Sequence, residues 1–208
     1  MITAVRTHGW NGSPPESDDD ARTRIVAATM RCVDRYGAKT GLADVATELG
    51  VTRQTVYRYF PTTEELFRAT GAVAAKELVE RVVAHVADLV DPAEVIVEAM
   101  VFCLEQLPNE RYLSLLPAVG RRDILVVGAT SPTAMELGRR MYRRLPIDWE
   151  ALGYGDGDID GLVELMLRLL QSFIADPGHP PRSQAEQREY LLRWVAPAIA
   201  PIRTAVAT

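Results

Sequence analysis

The chain has 208 residues, 48% apolar and 25% charged, the balance of a globular protein long enough to bury a core without staples. Its formal net charge of -5 excludes an all-over basic coat, so any contact with nucleic acid must come from a local patch. Two distant cysteines, Cys32 and Cys103, exclude a disulfide scaffold and point to a reducing, cytoplasmic setting, and no run reaches the roughly 18 apolar residues of a membrane span.

Residues 1–17 hold Gly9, Gly12, Pro14 and Pro15 without any period, which predicts a disordered arm. With no apolar core ahead of the acidic run Asp18–Asp20, no secretory leader is expected here, and that run suits the positive end of a helix. Ala21, Ile25, Ala28, Cys32 and Tyr36 then recur at steps of three or four, one helical face, until Gly37. A short helix is predicted over 42–49, stopped by Gly50, and another over 53–59, capped by Thr52. Pro61 resets the backbone and Thr62 caps a long helix over 63–90. Asp91-Pro92 closes it and opens the next, since proline suits a first turn. Further helices are expected near 92–107, 110–119, 131–145, 159–176 and 184–203, with Pro197 and Pro201 fraying the last. Ile124 to Val127 is the only strand-like run. The fold class is therefore all-α, with about nine helices.

The segment 42–60 carries the most information. A helix-turn-helix needs a turn residue that tolerates positive φ, and Gly50 supplies it. It needs a small residue where the helices approach, which Ala46 fits, and apolar anchors, which Val45, Leu49, Val51 and Val56 provide. The second helix then turns Arg53, Gln54, Thr55, Tyr57 and Arg58 outward. Arginine can hold guanine, and glutamine adenine, through two hydrogen bonds. Thr52, Tyr57 and the amides at the helix start can hold phosphates. An ordinary pair of helices with a solvated polar face satisfies the same turn pattern.

Taken with Arg24-Ile25-Val26-Ala27-Ala28, Tyr36-Gly37, Asp44-Val45-Ala46, Gly50-Val51-Thr52, Val56-Tyr57-Arg58-Tyr59-Phe60 and Glu64-Glu65-Leu66-Phe67, the segment resembles the DNA-binding domain of TetR-type transcriptional regulators. The resemblance runs from Thr23 to Phe67. It implies a three-helix DNA-binding domain over 18–67, followed over 68–208 by an all-helical domain for effector binding and dimerisation. It implies DNA contacts at Thr40, Thr52, Arg53, Gln54, Thr55, Tyr57, Arg58, Tyr59 and Thr63. Two positions depart from the family pattern. Thr63 stands where the family usually has lysine, so a hydroxyl replaces a charged phosphate contact. Gly41 follows Thr40, which leaves Thr40 alone to cap the first helix of the motif. Between residues 18 and 70 there are eight basic and eight acidic residues, so affinity for random DNA should be modest.

Beyond Phe67 only helical periodicity is left to read. The stripe Leu162, Val163, Met166, Leu169, Leu170, Phe173 and the set Leu191, Trp194, Val195, Ile199 are wide enough for core. The resemblance implies that these last two long helices form a dimer interface, with Leu162, Met166, Leu169, Phe173, Leu191, Trp194 and Val195 as its residues. A pocket for a small, apolar effector draws on Met100, Phe102, Cys103, Tyr112, Leu116, Met135 and Tyr142, soft and aromatic side chains that adapt to such molecules. Asp156, Asp158 and Asp160 are spaced like a calcium loop, but its twelfth position is Leu167 and not glutamate. An acidic turn that caps the next helix fits better. His8, His85 and His179 form no metal motif, no nucleophile elbow is present, and no cofactor or enzymatic activity is expected. The function expected is a cytoplasmic repressor that binds a palindromic operator in double-stranded DNA as a homodimer and answers to an effector. The alternative is a ligand-binding or protein-interaction module whose DNA-binding head has degenerated.

Overall fold

A computed structural model of the chain describes residues 9–113 and 130–199. Among these residues there are eight α-helices and no strand. They are α1 Asp18–Tyr36, α2 Leu42–Leu49, α3 Arg53–Tyr59, α4 Thr63–His85, α5 Pro92–Gln106, α6 Pro132–Tyr142, α7 Asp156–Ala175 and α8 Gln184–Trp194. Two compact units contain them: residues 9–74 with 111–113, and residues 75–110 with 130–199. The division falls inside α4.

Local chemistry accounts for the first unit. The Ser17 hydroxyl accepts the Asp20 amide at 3.1 Å, and Asp18–Asp20 lie in the first turn of α1, where the helix dipole favours them. Ala21, Ile25, Ala28 and Cys32 are buried as the stripe predicts, but Tyr36 is half exposed. It is the last residue of α1, one turn past Cys32, where the core has ended. One cluster joins this face to Leu42, Val45, Ala46, Leu49, Val56, Tyr59, Phe60 and Leu66. Each fully buried branched side chain there contributes about 1.5–3 kcal/mol relative to exposure.

The arm expected over 1–17 is structured in part. Residues 10–12 form a short left-handed turn closed by the Ser13 amide on the Trp10 carbonyl at 3.0 Å, and Trp10 packs against the cluster. Residues 1–8 lie outside the described residues.

In the second unit, Asp91 caps α5 by accepting the Glu94 amide at 2.9 Å. Val95, Ile96, Val97, Ala99, Met100, Val101 and Cys103 are all buried, so α5 is apolar over most of its circumference and takes the central place. It packs against α7, α8 and the 3-10 turn Ala196–Ile199, while α6 packs on α7.

Several helix bounds differ from expectation. The long helix α4 stops at His85 instead of running to residue 90. Val86 is fully buried, a turn closes with the Leu89 amide on the Val86 carbonyl, and Val90 is left 88% exposed. Helix α6 ends at Tyr142. Helix α7 starts three residues early, because Asp158 reaches back to the Gly155 amide at 2.9 Å. Helix α8 ends at Trp194, ahead of Pro197, which has no amide to extend it. The helix expected near 110–119 and the run 124–127 fall almost entirely outside the described residues.

Candidate functional site

The outward face of α3 is built from its caps and its foot. The turn before it depends on Gly50, whose φ of 64° and ψ of 30° are left-handed values that glycine adopts without strain. The Val51 amide then reaches the Ala46 carbonyl at 2.9 Å. Thr52 is extended, and its hydroxyl accepts the Thr55 amide at 3.2 Å. Val56 is fully buried, and Tyr59 and Phe60 are nearly so. With that foot fixed, Arg53, Gln54, Tyr57 and Arg58 are exposed and Thr55 is half-buried.

The outward side chains are already organised. The Arg53 guanidinium donates to the Tyr57 hydroxyl at 2.8 Å and lies 5.1 Å from that ring's centre. Arg58 donates to Asp18 at 3.2 Å and to the Tyr59 hydroxyl at 2.9 Å. The Tyr59 hydroxyl in turn donates to Asp18 at 3.0 Å. Burial, and then the bond to Asp18, push the Tyr59 phenol above its ordinary range.

Two of the expected contact residues are placed otherwise. Tyr59 belongs to the core and not to the outward face; its ring fills the side opposite to Tyr57. Thr40 is 3% exposed, and its hydroxyl donates to the Gly37 carbonyl at 2.9 Å. It does not cap α2. That task falls to Asp44, which accepts the Gly41 amide at 2.8 Å. Thr63 is the first residue of α4 and half-buried, while Thr62 caps the helix through the Glu65 amide. Sequence reading missed Glu48, which accepts from Arg31 at 2.7 Å and Arg35 at 2.6 Å. These two bonds hold its carboxyl below the usual range and clamp α1 to α2.

The second unit contains an apolar cavity of ≈ 20 Å³ between α5, α6 and α7, room for about one water molecule. Met100, Cys103 and Tyr142 line it, together with Ile96, Met141 and Met166, which sequence reading did not select for a pocket. Phe102 and Met135 are not among the lining residues. Phe102 instead stacks on His85, with centroids 4.6 Å apart. Tyr112 belongs to the first unit, where it donates to Asp34 at 2.8 Å. Leu116 lies outside the described residues. Burial pushes the Cys103 thiol up to about 12 and the Tyr142 phenol above its ordinary range, so both stay neutral. The nearby arginines face carboxylates: Arg139 pairs with Asp160 and Arg144 with Glu80.

Of the residues expected at a dimer interface, Leu162, Met166, Leu191 and Val195 are buried within their own unit. A side chain covered by its own chain cannot cover a partner. Leu169 and Phe173 are half-buried, and Trp194 is 63% exposed. Leu165 and Leu192, at 42% and 40%, also face outward.

The model of a family described as bacterial regulatory proteins, tetR family, matches residues 25–70. A relative from Mycobacterium tuberculosis, described as an uncharacterized HTH-type transcriptional regulator, is 25% identical over 187 residues, 89% of this chain and 88% of that one. Among solved structures, the TetR family repressor AlkX from Dietzia sp. is similar with a TM-score of 0.59 at 18% identity, over 90% of this chain and 97% of that one. RolR, solved in complex with resorcinol, is similar with a TM-score of 0.59 at 20% identity, over 90% and 91%. At those identities the two structures establish likeness of fold.

Proposed function

We propose, from the premise that this chain is a TetR-type helix-turn-helix transcriptional regulator and not an enzyme, that it acts in the cytoplasm as a dimeric, ligand-responsive repressor. The observation that carries the reading is α3 itself. A fully buried Val56 and a capped first turn present Arg53, Gln54, Thr55, Tyr57 and Arg58 as one polar face. In this reading, two such helices enter successive major grooves of a palindromic operator, with half-sites roughly 34 Å apart. The exposed Leu165, Leu192 and Trp194 on α7 and α8 supply apolar surface for a second copy. An effector enters the second unit between α5, α6 and α7, where the apolar cavity of ≈ 20 Å³ must widen to admit a molecule such as the resorcinol bound by RolR. Release from DNA requires only that the effector bind one state better than the other.

The test is selection of fragmented genomic DNA by the purified protein, followed by footprinting of the retained fragments. A short footprint with two-fold symmetry is expected. No enrichment at low salt from a folded dimer would refute it.

A further inference from the structure

The segment just ahead of α1 has an unusual backbone. Gly9, Trp10, Asn11 and Gly12 have φ of 101°, 59°, 50° and 87°, four left-handed residues in succession. Two of them carry side chains, and a bulky residue such as tryptophan avoids this region. Such a conformation persists only where its surroundings over-determine it, and it points from an observed outlier to a role.

The surroundings are the helix-turn-helix. Trp10 packs on the apolar cluster with its ring edge-on to Tyr59, centroids 6.5 Å apart. The Asn11 side-chain amide donates to the Glu48 carbonyl at 3.3 Å. Its Oδ1 fills the space beside Gly50, 2.5 Å from where a Cβ would stand. Gly9 lies against Val51. The Ser13 carbonyl accepts from Arg24 of α1 at 2.7 Å. Four of these five consecutive residues, Gly9, Trp10, Asn11 and Ser13, thus touch α1, the end of α2, the turn and the last residue of α3. Helix α3 has only seven residues, and just two of them, Val56 and Tyr59, are buried. Two anchors on one short helix leave its tilt to be set from outside, and a binding constellation must be held to a fraction of an ångström to read a partner.

We infer that residues 9–13 are a strap that sets the pose of the reading helix, with Trp10 as its positioning residue. The inference rests on the DNA-binding reading above. The side chain touches no DNA in this role; it acts through Tyr59 and the Gly50 turn.

The test uses the full chain as wild type, Trp10→Ala, Trp10→Phe and Asn11→Ala, with two readouts. Amide hydrogen exchange is followed in α1, α3 and α5. Affinity is measured at fixed salt for the duplex that wild type enriches most from a random-sequence library, and for a scrambled duplex of equal composition. Trp10→Ala should speed exchange across α3 while leaving α1 and α5 unchanged. It should weaken the enriched duplex about tenfold, the scale of one lost base contact, and leave the scrambled duplex unchanged. Trp10→Phe should restore most of both, and Asn11→Ala should show a smaller shift of the same kind. Unchanged α3 exchange would overturn the proposal. So would equal loss of protection in α1, or equal loss on both duplexes, either of which assigns Trp10 to general stability. If wild type enriches no duplex, the DNA-binding reading falls, and the exchange comparison still decides the strap.

Discussion

The contact between α6 and α7 depends on a missing methyl group. An ideal Cβ on Gly138 would stand 2.5 Å from Val163 Cγ1 and 3.7 Å from Leu167 Cδ1. Comfortable carbon contacts lie at about 3.5–4.0 Å, so Gly138→Ala demands roughly 1 Å of movement. Val163 is fully buried, and a β-branched side chain in a helix has essentially one χ1 rotamer. Rotating away costs about 0.5–1.5 kcal/mol, and overpacking of this kind typically costs about 1–3 kcal/mol in all. Alanine returns about 0.5–1 kcal/mol of helix propensity. The expected net effect is a loss of about 0.5–2 kcal/mol, a few degrees in Tm for a chain of this size. The assay is thermal unfolding at one protein concentration for Gly138→Ala, Val163→Ala and the double variant. Val163→Ala alone should cost about 2 kcal/mol for the buried methyl groups it removes. In the double variant the small side chain relieves the clash, so the two losses should couple by at least about 1 kcal/mol. A more stable Gly138→Ala protein, or simple additivity within about 0.5 kcal/mol, would refute this account of the helix contact.

Other expectations concern the DNA head and the assembly. Arg53→Ala should weaken binding to the enriched duplex by about 1–3 kcal/mol per head, less the roughly 0.5–1 kcal/mol that Arg53 gives up on leaving the exposed Tyr57 ring. Anisotropy titrations showing equal losses on random DNA would remove it as a base reader. Glu48, held below the usual carboxylate range by Arg31 and Arg35, contributes stability that is fully present above its ordinary pKa and lost as pH falls through the lowered one. Melts from neutral to acid pH should therefore show wild type losing more than Glu48→Gln does. Parallel pH curves would contradict the clamp. Trp194→Glu combined with Leu165→Glu should convert a dimer to monomers in sedimentation and lower affinity for a palindrome more than for a half-site. An intact dimer would place the interface elsewhere.

The DNA head was legible because its boundaries are marked by residues with local chemistry. Asp18–Asp20 open α1, Thr52 and Thr62 accept amides three residues on, Gly50 permits the turn, and α1 to α3 follow. The end of α4 has no such marker between residues 85 and 91; only the burial of Val86 fixes it. The same limit applies to α7, which carries apolar residues on two faces. Leu162 and Met166 point inward while Leu165 points outward, and a stripe read from one sequence does not say which face meets a neighbour. In the pocket, residue type favoured Phe102 and Met135, but packing gives the cavity wall to Ile96 and Met141. Trp10 was missed because glycine and proline around it suggested a loose arm. The signal was the Gly-Trp-Asn-Gly turn itself, a large apolar side chain between residues that accept left-handed backbone.

The pairing of Arg58 with Asp18 bears on how such a protein finds its site. A genome offers about 10⁶–10⁹ competing positions, and a head with every cation bare spends its time trapped among them. Here one cation of the reading helix carries its own counterion, a carboxylate on α1. If Arg58 meets a phosphate as proposed, that phosphate competes with Asp18, an exchange that a duplex satisfying the neighbouring side chains as well would favour. On the proposed reading the carboxylate would weaken the hold of random sequence and shorten each wrong visit. Target search would then gain from a contact that the bound complex gives up.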